Sequence, residues 1–321
     1  MDLIYTNAKA VDIGVLSAYA FDLSFGASEN DFEMVLGSRD TALEFGAYVY
    51  MEGTEYGGIV DGMKTSTGGE TVTYKGRTWH GILNSKIIQP DSGAAYYTVS
   101  GDANSVLSGL VSRLGLSGLF AVSADNAGIS ISSYQFHRYC KAYDGIRAML
   151  ADCGAKLEIQ WENRSVRLSA VPISDYRESP IDGDIATLTV EQHKQKVNHL
   201  ICLGKGELAA REVIHLYVDK WGNIGDVQYY TGLDEITETY DYSNAESSDE
   251  LRKEGIKRLK ELMNNDKADI SIMETDGLNY DIGDIIGASD IKSGVTVAAA
   301  VSQKIVKIQN GAIRTQYKTG G

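Results

Sequence analysis

His137 and Cys140 stand three residues apart with Cys153 further along, the residue types from which a zinc site or a thiol–imidazole nucleophile pair is built. A structural zinc takes four ligands in close pairs, and the chain has no CxxC and no HxxxH. Cys153 shares a helical stripe with Ile146, Met149 and Leu150, so core packing is the better reading. His193 and His199 fall in a strand-like region with no second ligand pair nearby, and no metal role is assigned to them. Asp276, Asp281, Gly283 and Asp284 gather carboxylates in a glycine-containing turn, the material of a calcium loop. The alternating oxygens and closing glutamate of an EF-hand are missing, and Ile282 and Ile285 interrupt the set; a solvated turn is expected.

Two carboxylate pairs, Glu52 with Glu55 and Asp182 with Asp184, have the composition of a glycosidase acid and base. Among 44 acidic residues such neighbours arise by chance. Gly204-Lys205-Gly206-Glu207-Leu208-Ala209 fits the G-x-G-x-x-A dinucleotide fingerprint and follows an apolar strand. A phosphate-binding turn needs a full helix next, whereas here the β-prone run VIHLYV begins within a few residues, so a hairpin loop is expected. There is no G-x-S-x-G, no P-loop and no H-E-x-x-H. A carbohydrate platform would draw on Trp79, Trp161 and Trp221, at least two of them in strand contexts. No catalytic, cofactor-binding or metal-binding residue is assigned, and no enzyme is expected.

Composition narrows the classes further. A formal charge of −14 across 321 residues argues against a nucleic-acid groove or an anionic membrane surface, both of which need positive stripes. It suits a passage through which DNA slides without sticking. Three cysteines, Cys140, Cys153 and Cys202, cannot all pair, so the expectation is a chain made in a reducing cytoplasm. The N-terminal MDLIYTNAKAVDIG has no basic region followed by an apolar core, and no run approaches a membrane span.

The elements that must position these residues follow from periodicity. Tyr19, Phe21, Leu23 and Phe25 alternate with small or polar residues, and Phe32, Met34 and Leu36 repeat the pattern, predicting two strands. Residues 43–90 are short β-prone runs punctuated by Gly57, Gly58, Gly62, Gly68 and Gly69, as in a closed antiparallel barrel. The period then changes: Leu107, Leu110, Val111 and Leu114 predict a helix behind capping candidates Asp102 and Asn104, stopped at Gly115. A second helix carries Ile146, Met149, Leu150 and Cys153 to Gly154. Lys156 to Trp161 and Val166 to Val171 read as a hairpin. Beyond residue 181, Val197 to Leu203 and Glu212 to Val218 flank the Gly204–Ala210 connection. An acidic stretch follows, with a helix opening at Ser247-Ser248-Asp249-Glu250 and striped by Ile256, Leu259 and Met263. Asn310-Gly311 is the clearest turn signal and, as a type I′ hairpin, places Ile308 opposite Ile313 and Val306 opposite Thr315. The expected fold is α+β and mainly β. It has a first β-barrel over 1–90, a small α+β domain over 91–180, and a second antiparallel β-barrel over 181–321 with a helical insertion at about 219–267.

Three stretches carry a family resemblance: the GGIVDG to TVTYKGRTWHGIL region with its closing IIQP, the segment VNHLICLGKGELAAREVIHLYVDKWGNIG, and YDIGDIIGASD with VSQKIVKIQNGAIRTQYKTG. Together they span most of the chain, which resembles the central hub proteins of phage tail baseplates. The likeness is to short hubs of Gram-positive defective prophages and phage-tail-like bacteriocins, and to the hub portion of siphophage tail-tip proteins. It implies a structural homotrimer whose two barrels per subunit form a pseudo-sixfold ring joining a hexameric tail tube to a trimeric spike. Implied partners are the spike, the tube or its initiator, and baseplate wedge and tape-measure proteins. No specific nucleic-acid binding and no membrane insertion are expected. The chain would be assembled in the bacterial cytoplasm and end in the baseplate of a released particle. Siphophage tail-tip proteins often continue into a hydrolase or receptor-binding region, so a chain ending at Lys318-Thr319-Gly320-Gly321 favours a contractile tail or bacteriocin. The alternatives are a cell-wall hydrolase and a carbohydrate-binding module.

Overall fold

The computed structural model describes residues 2–37, 42–182, 186–191, 196–263, 267–272, 279–290, 295–309 and 311–319. The chain divides into two compact units, one of residues 1–188 with 269–320 and one of residues 189–268.

In the first unit the alternating aromatics do form a strand, Tyr19–Gly26, with Phe21, Leu23 and Phe25 buried. It pairs antiparallel with Asp31–Gly37, so that Phe21 faces Met34 and Leu23 faces Phe32. The sheet continues outward through Thr71–Thr78, Gly57–Lys64, Tyr48–Tyr50, Leu3–Thr6 and Asp12–Leu16. On its other side Tyr19–Gly26 takes the C-terminal strand Val295–Gln309, with Val306 opposite Leu23 and Ile308 opposite Phe21. Val306 and Ile308 therefore complete the same core as Phe21, Leu23, Phe32 and Met34. The C-terminal hairpin was expected in a barrel of its own, but its alternating apolar residues match the open face of the N-terminal strands. Among the described residues the strand order is an open path that does not close into a barrel.

The hairpin register is the expected one: Ile308 lies opposite Ile313 and Val306 opposite Thr315, with Gly311 at φ +79°. Asn310 lies outside the described residues.

The stretch TVTYKGRTWHGIL, which lies among the β-prone runs of residues 43–90, changes state midway. Its strand ends at Thr78, whose hydroxyl accepts from the Gly81 amide at 3.3 Å and caps the helix Trp79–Asn84. Gly81 is required there because a Cβ would sit 2.0 Å from the Asn30 carbonyl oxygen. The helix buries Trp79, Ile82 and Leu83 against Val111, Tyr143, Trp161 and Leu168.

The middle of this unit carries the two helices and the hairpin that periodicity predicts. Asp102 caps the helix Ala103–Arg113 through the amides of Asn104 and Ser105 at 3.1 and 3.2 Å. Asn104 is not a cap: it is buried, accepts from the Ala170 amide at 2.8 Å and donates to the Asp125 carbonyl at 2.9 Å. Gly115 and Gly154 follow the two helices at φ +69° and +72°. Ala155–Glu162 and Ser165–Pro172 form the hairpin, turned at Asn163 and Arg164, both with positive φ. A further small core joins the parallel pair Asp175–Asp182 and Ile285–Asp290 through Ile181, Tyr280, Ile286, Val301 and Tyr317.

The second unit is a four-stranded sheet in the order Ile224–Gly225, Val213–Val218, His199–Leu203, Thr237–Asp241, packed on the helix Ser248–Met263. The helix starts as predicted: Ser247 Oγ accepts from the Glu250 amide at 3.2 Å, and Glu250 reaches back to the Glu246 amide at 2.7 Å. Leu251 and Leu259 of the helix bury against Leu200, Cys202, Leu216 and Val218. The strands around residues 199–218 were expected in the second barrel; they belong instead with the helix, whose apolar stripe needs a sheet face to cover it. Gly255 lets the two approach, since a Cβ there would lie 2.4 Å from Cys202 Sγ.

Candidate functional site

Among the described residues, buried charge gathers in the first unit around a cavity of about 340 Å³ whose lining includes Glu55, Tyr56, His80, Asn279, Asp281 and Lys304. Lys304 comes from Val295–Gln309, His80 from the short helix Trp79–Asn84, and Glu55 from the connection between Tyr48–Tyr50 and Gly57–Lys64. The Lys304 side chain is 2% exposed; its ammonium donates to Glu55 Oε1 at 2.7 Å and to Asn279 Oδ1 at 3.4 Å. The other Glu55 oxygen is 3.4 Å from His80 Nε2. The His80 ring is clamped by stacking on Phe25 at 4.6 Å and by the edge of Tyr143 at 5.3 Å. Burial alone would push the Glu55 carboxyl up, but the Lys304 ammonium and then His80 outweigh it and hold the group at about 2. Lys304 is shifted the opposite way: burial opposes its charge, and Glu55 overcomes that and raises its pKa.

A second buried pair adjoins the first. Lys156, on Ala155–Glu162, lies 2.7 Å from Asp281 and 2.8 Å from Asp284. Asp284 is 1% exposed and also accepts from the amides of Ser174 and Asp281, each at 2.9 Å. Asp284 is therefore the buried anchor of an ion pair with Lys156, and Asp281, 42% exposed, is its partly solvated second carboxylate, where the sequence implies a solvated turn. The cation that decides this, Lys156, is 125 residues away in sequence from Asp281. Gly283 between them adopts φ +101°, a backbone state that excludes most side chains. Asp276 lies outside the described residues.

Chemically the cluster is self-neutralising. Glu55 stays ionised near neutral pH and spends its oxygens on Lys304 and His80, so it is neither an acid nor a free base. Glu52 is exposed, and the two do not form an enclosed pair. For Asp182 no side-chain placement is described, and Asp184 lies outside the described residues. Cys140 and Cys153 are partly buried and Cys202 fully so. Burial pushes all three thiols up, Cys202 to about 11, away from nucleophilic character. Cys153 donates to the Leu150 carbonyl at 3.1 Å and borders the core of its helix. His137 is exposed and meets Cys140 through a backbone contact, Cys140 N to His137 O at 3.3 Å. Among the described residues no three His, Cys, Asp or Glu side chains cluster as metal ligands.

The G-x-G-x-x-A segment is a hairpin connection. Gly204 N donates to Glu212 O at 2.9 Å, Glu212 N to Lys205 O at 2.8 Å, and Leu208–Ala210 makes a single 3₁₀ turn. Trp79 and Trp161 are buried and stacked at 5.1 Å, with Tyr50 on Trp161 at 4.2 Å, whereas Trp221 is 73% exposed. His199 has partners that its sequence neighbourhood does not reveal. Its Nδ1 lies 2.7 Å from Glu235 and its Nε2 2.9 Å from Nδ1 of His215. His193 is outside the described residues. A period-two reading of VIHLYV places His215 and Tyr217 on one strand face, and that was the signal available.

The architecture is that of tail and baseplate proteins of phages and prophages. At a TM-score of 0.60 and 14% identity, the chain is similar to prophage tail protein gp18 from Listeria monocytogenes, over 99% of this chain and 94% of that one. The 43 kDa tail protein of prophage MuSo2 from Shewanella oneidensis matches at 0.61 and 12%, over 99% and 98%. A chain of the phage P2 baseplate, in its activated conformation with Ca, matches at 0.51 and 10%, over 100% and 99%. No protein-family profile and no curated protein sequence matches this chain. The shared property is the fold, which the chain carries over almost its whole length.

Proposed function

We propose that this chain is a structural hub of a phage-type tail baseplate, acting as a trimer whose subunits form a pseudo-sixfold ring between the tail tube and the spike. The observation that carries the reading is the full-length likeness, with 94% or more of each chain covered, to prophage tail proteins and a baseplate protein. The chemistry of the chain fits a part that works through interface and symmetry. Its buried carboxylates are tied to lysines, its thiols are quiet, and two of its three tryptophans are used up in a core. Those facts favour a structural part over a cell-wall hydrolase or a carbohydrate-binding module. The net charge of −14 suits a lumen that DNA crosses without adhering. The finer assignment, to a contractile tail or phage-tail-like bacteriocin, rests on the sequence resemblance.

Light scattering over a range of protein concentrations, alone and with a candidate tail-spike protein added, tests the reading. A trimer in either mixture supports a hub. A persistent monomer that ignores the spike and clears a cell-wall suspension overturns it.

A further inference from the structure

The second unit buries one face of its sheet under the helix Ser248–Met263, while the other face carries His199, His215 and Tyr217. His199 is nearly enclosed, at 9% side-chain exposure, and stacks on Tyr217 with ring centroids 4.3 Å apart. Its Nδ1 meets Glu235 Oε1 at 2.7 Å and Thr237 Oγ1 at 3.0 Å. A carboxylate can only accept, so Nδ1 of His199 carries the proton, and in that neutral tautomer Nε2 presents a lone pair. That lone pair is aimed at Nδ1 of the exposed His215, 2.9 Å away.

A carboxylate bonded to the far nitrogen of an imidazole whose near nitrogen points at a second imidazole is the outer-shell arrangement that orients metal-ligating histidines. We propose that His199 and His215 form a two-imidazole site for a divalent transition metal of the zinc, nickel or copper class, with Glu235 as its positioning residue. Imidazole suits these ions, whereas calcium and magnesium want oxygen ligands. Metal–nitrogen bonds of about 2.0–2.1 Å in tetrahedral geometry separate the two nitrogens by roughly 3.4 Å, so the pair opens by about half an ångström to admit the ion. The Nδ1 proton of His215 moves to its Nε2 as the ion takes its place, leaving both rings neutral and no net charge to remove. Glu235 is not a ligand, since it is bound to the opposite edge of His199. Two protein ligands leave the remaining positions to water.

Isothermal titration of the untagged, chelator-treated full chain with Zn²⁺ and with Ni²⁺ tests the site. One saturable site per chain is expected. His215→Ala, a change at an exposed position, should weaken it at least ~10-fold, and His137→Ala should leave it intact. Glu235→Gln should weaken binding by about 10–100-fold without moving the thermal midpoint of the metal-free protein. No saturable binding by the parent chain, or equal binding by His215→Ala, overturns the site. Unchanged affinity in Glu235→Gln removes Glu235 from its role.

Discussion

At the scale of single residues, the controlling fact is that Lys304 and Glu55 are buried together. Removing one partner of such a pair leaves an uncompensated charge, which is worse than removing both. Lys304→Ala should therefore destabilise the first unit by about 3–5 kcal/mol, and the double change Lys304→Met with Glu55→Gln by less; paired urea titrations compare them. The pair also sets an acid limit. Because the Glu55 carboxyl is held at about 2, its contribution is complete above the unfolded value near 4.3 and is lost as pH falls through the folded value. Between roughly pH 4 and pH 2, the stability of the parent chain should fall more steeply than that of the double variant, as read by denaturant midpoints at each pH. His80 belongs to the same group of contacts, but its Nδ1 is buried with no hydrogen-bond partner among the described residues. Its ring is held by Phe25 and Tyr143 and by the Nε2 contact to Glu55.

At the scale of elements, two helices show how local rules and close approach divide the work. The helix Ser248–Met263 depends on its cap, and Ser247→Ala should lower its stability by about 0.5–2 kcal/mol in thermal melts. It depends equally on Gly255, whose missing side chain admits Cys202 and Leu216. Gly255→Ala should cost about 1–3 kcal/mol, and adding Cys202→Ala should recover part of the loss; a double-mutant cycle on thermal midpoints measures the coupling. The helix Trp79–Asn84 was hidden in the sequence because its residues continue a β-prone run. At six residues it is too short to be stable alone. Packing of Trp79, Ile82 and Leu83 into a core decided its state.

At the scale of the whole molecule, the charge balance governs association. In the proposed trimer three copies at −14 each repel one another, and interface contacts have to overcome that repulsion. Trimer formation should strengthen between about 0.01 M and 0.15 M salt, as the Debye length falls from about 30 to about 8 Å. Sedimentation equilibrium at the two salt levels reads the shift, and weaker association at the higher level would mean that attractive charge pairs dominate the interface.

Periods and turn chemistry act over a few residues, which is why the amino-acid sequence by itself determined the strand Tyr19–Gly26, both helices of the middle region, the cap at Ser247 and the register of the final hairpin. The same short range explains why the Gly204–Ala209 fingerprint could be read as a hairpin from the β-prone run after it. Partnerships across long separations were not legible. Lys304 finds Glu55 across 249 residues, Lys156 finds Asp284 across 128, and His199 finds His215 on the neighbouring strand and Glu235 just ahead of Thr237–Asp241. The C-terminal strand likewise joins the N-terminal sheet because its Val306 and Ile308 fit the open face of Phe21 and Leu23. Such pairings depend on which apolar faces remain uncovered once local elements exist, a competition that the tertiary structure alone resolves.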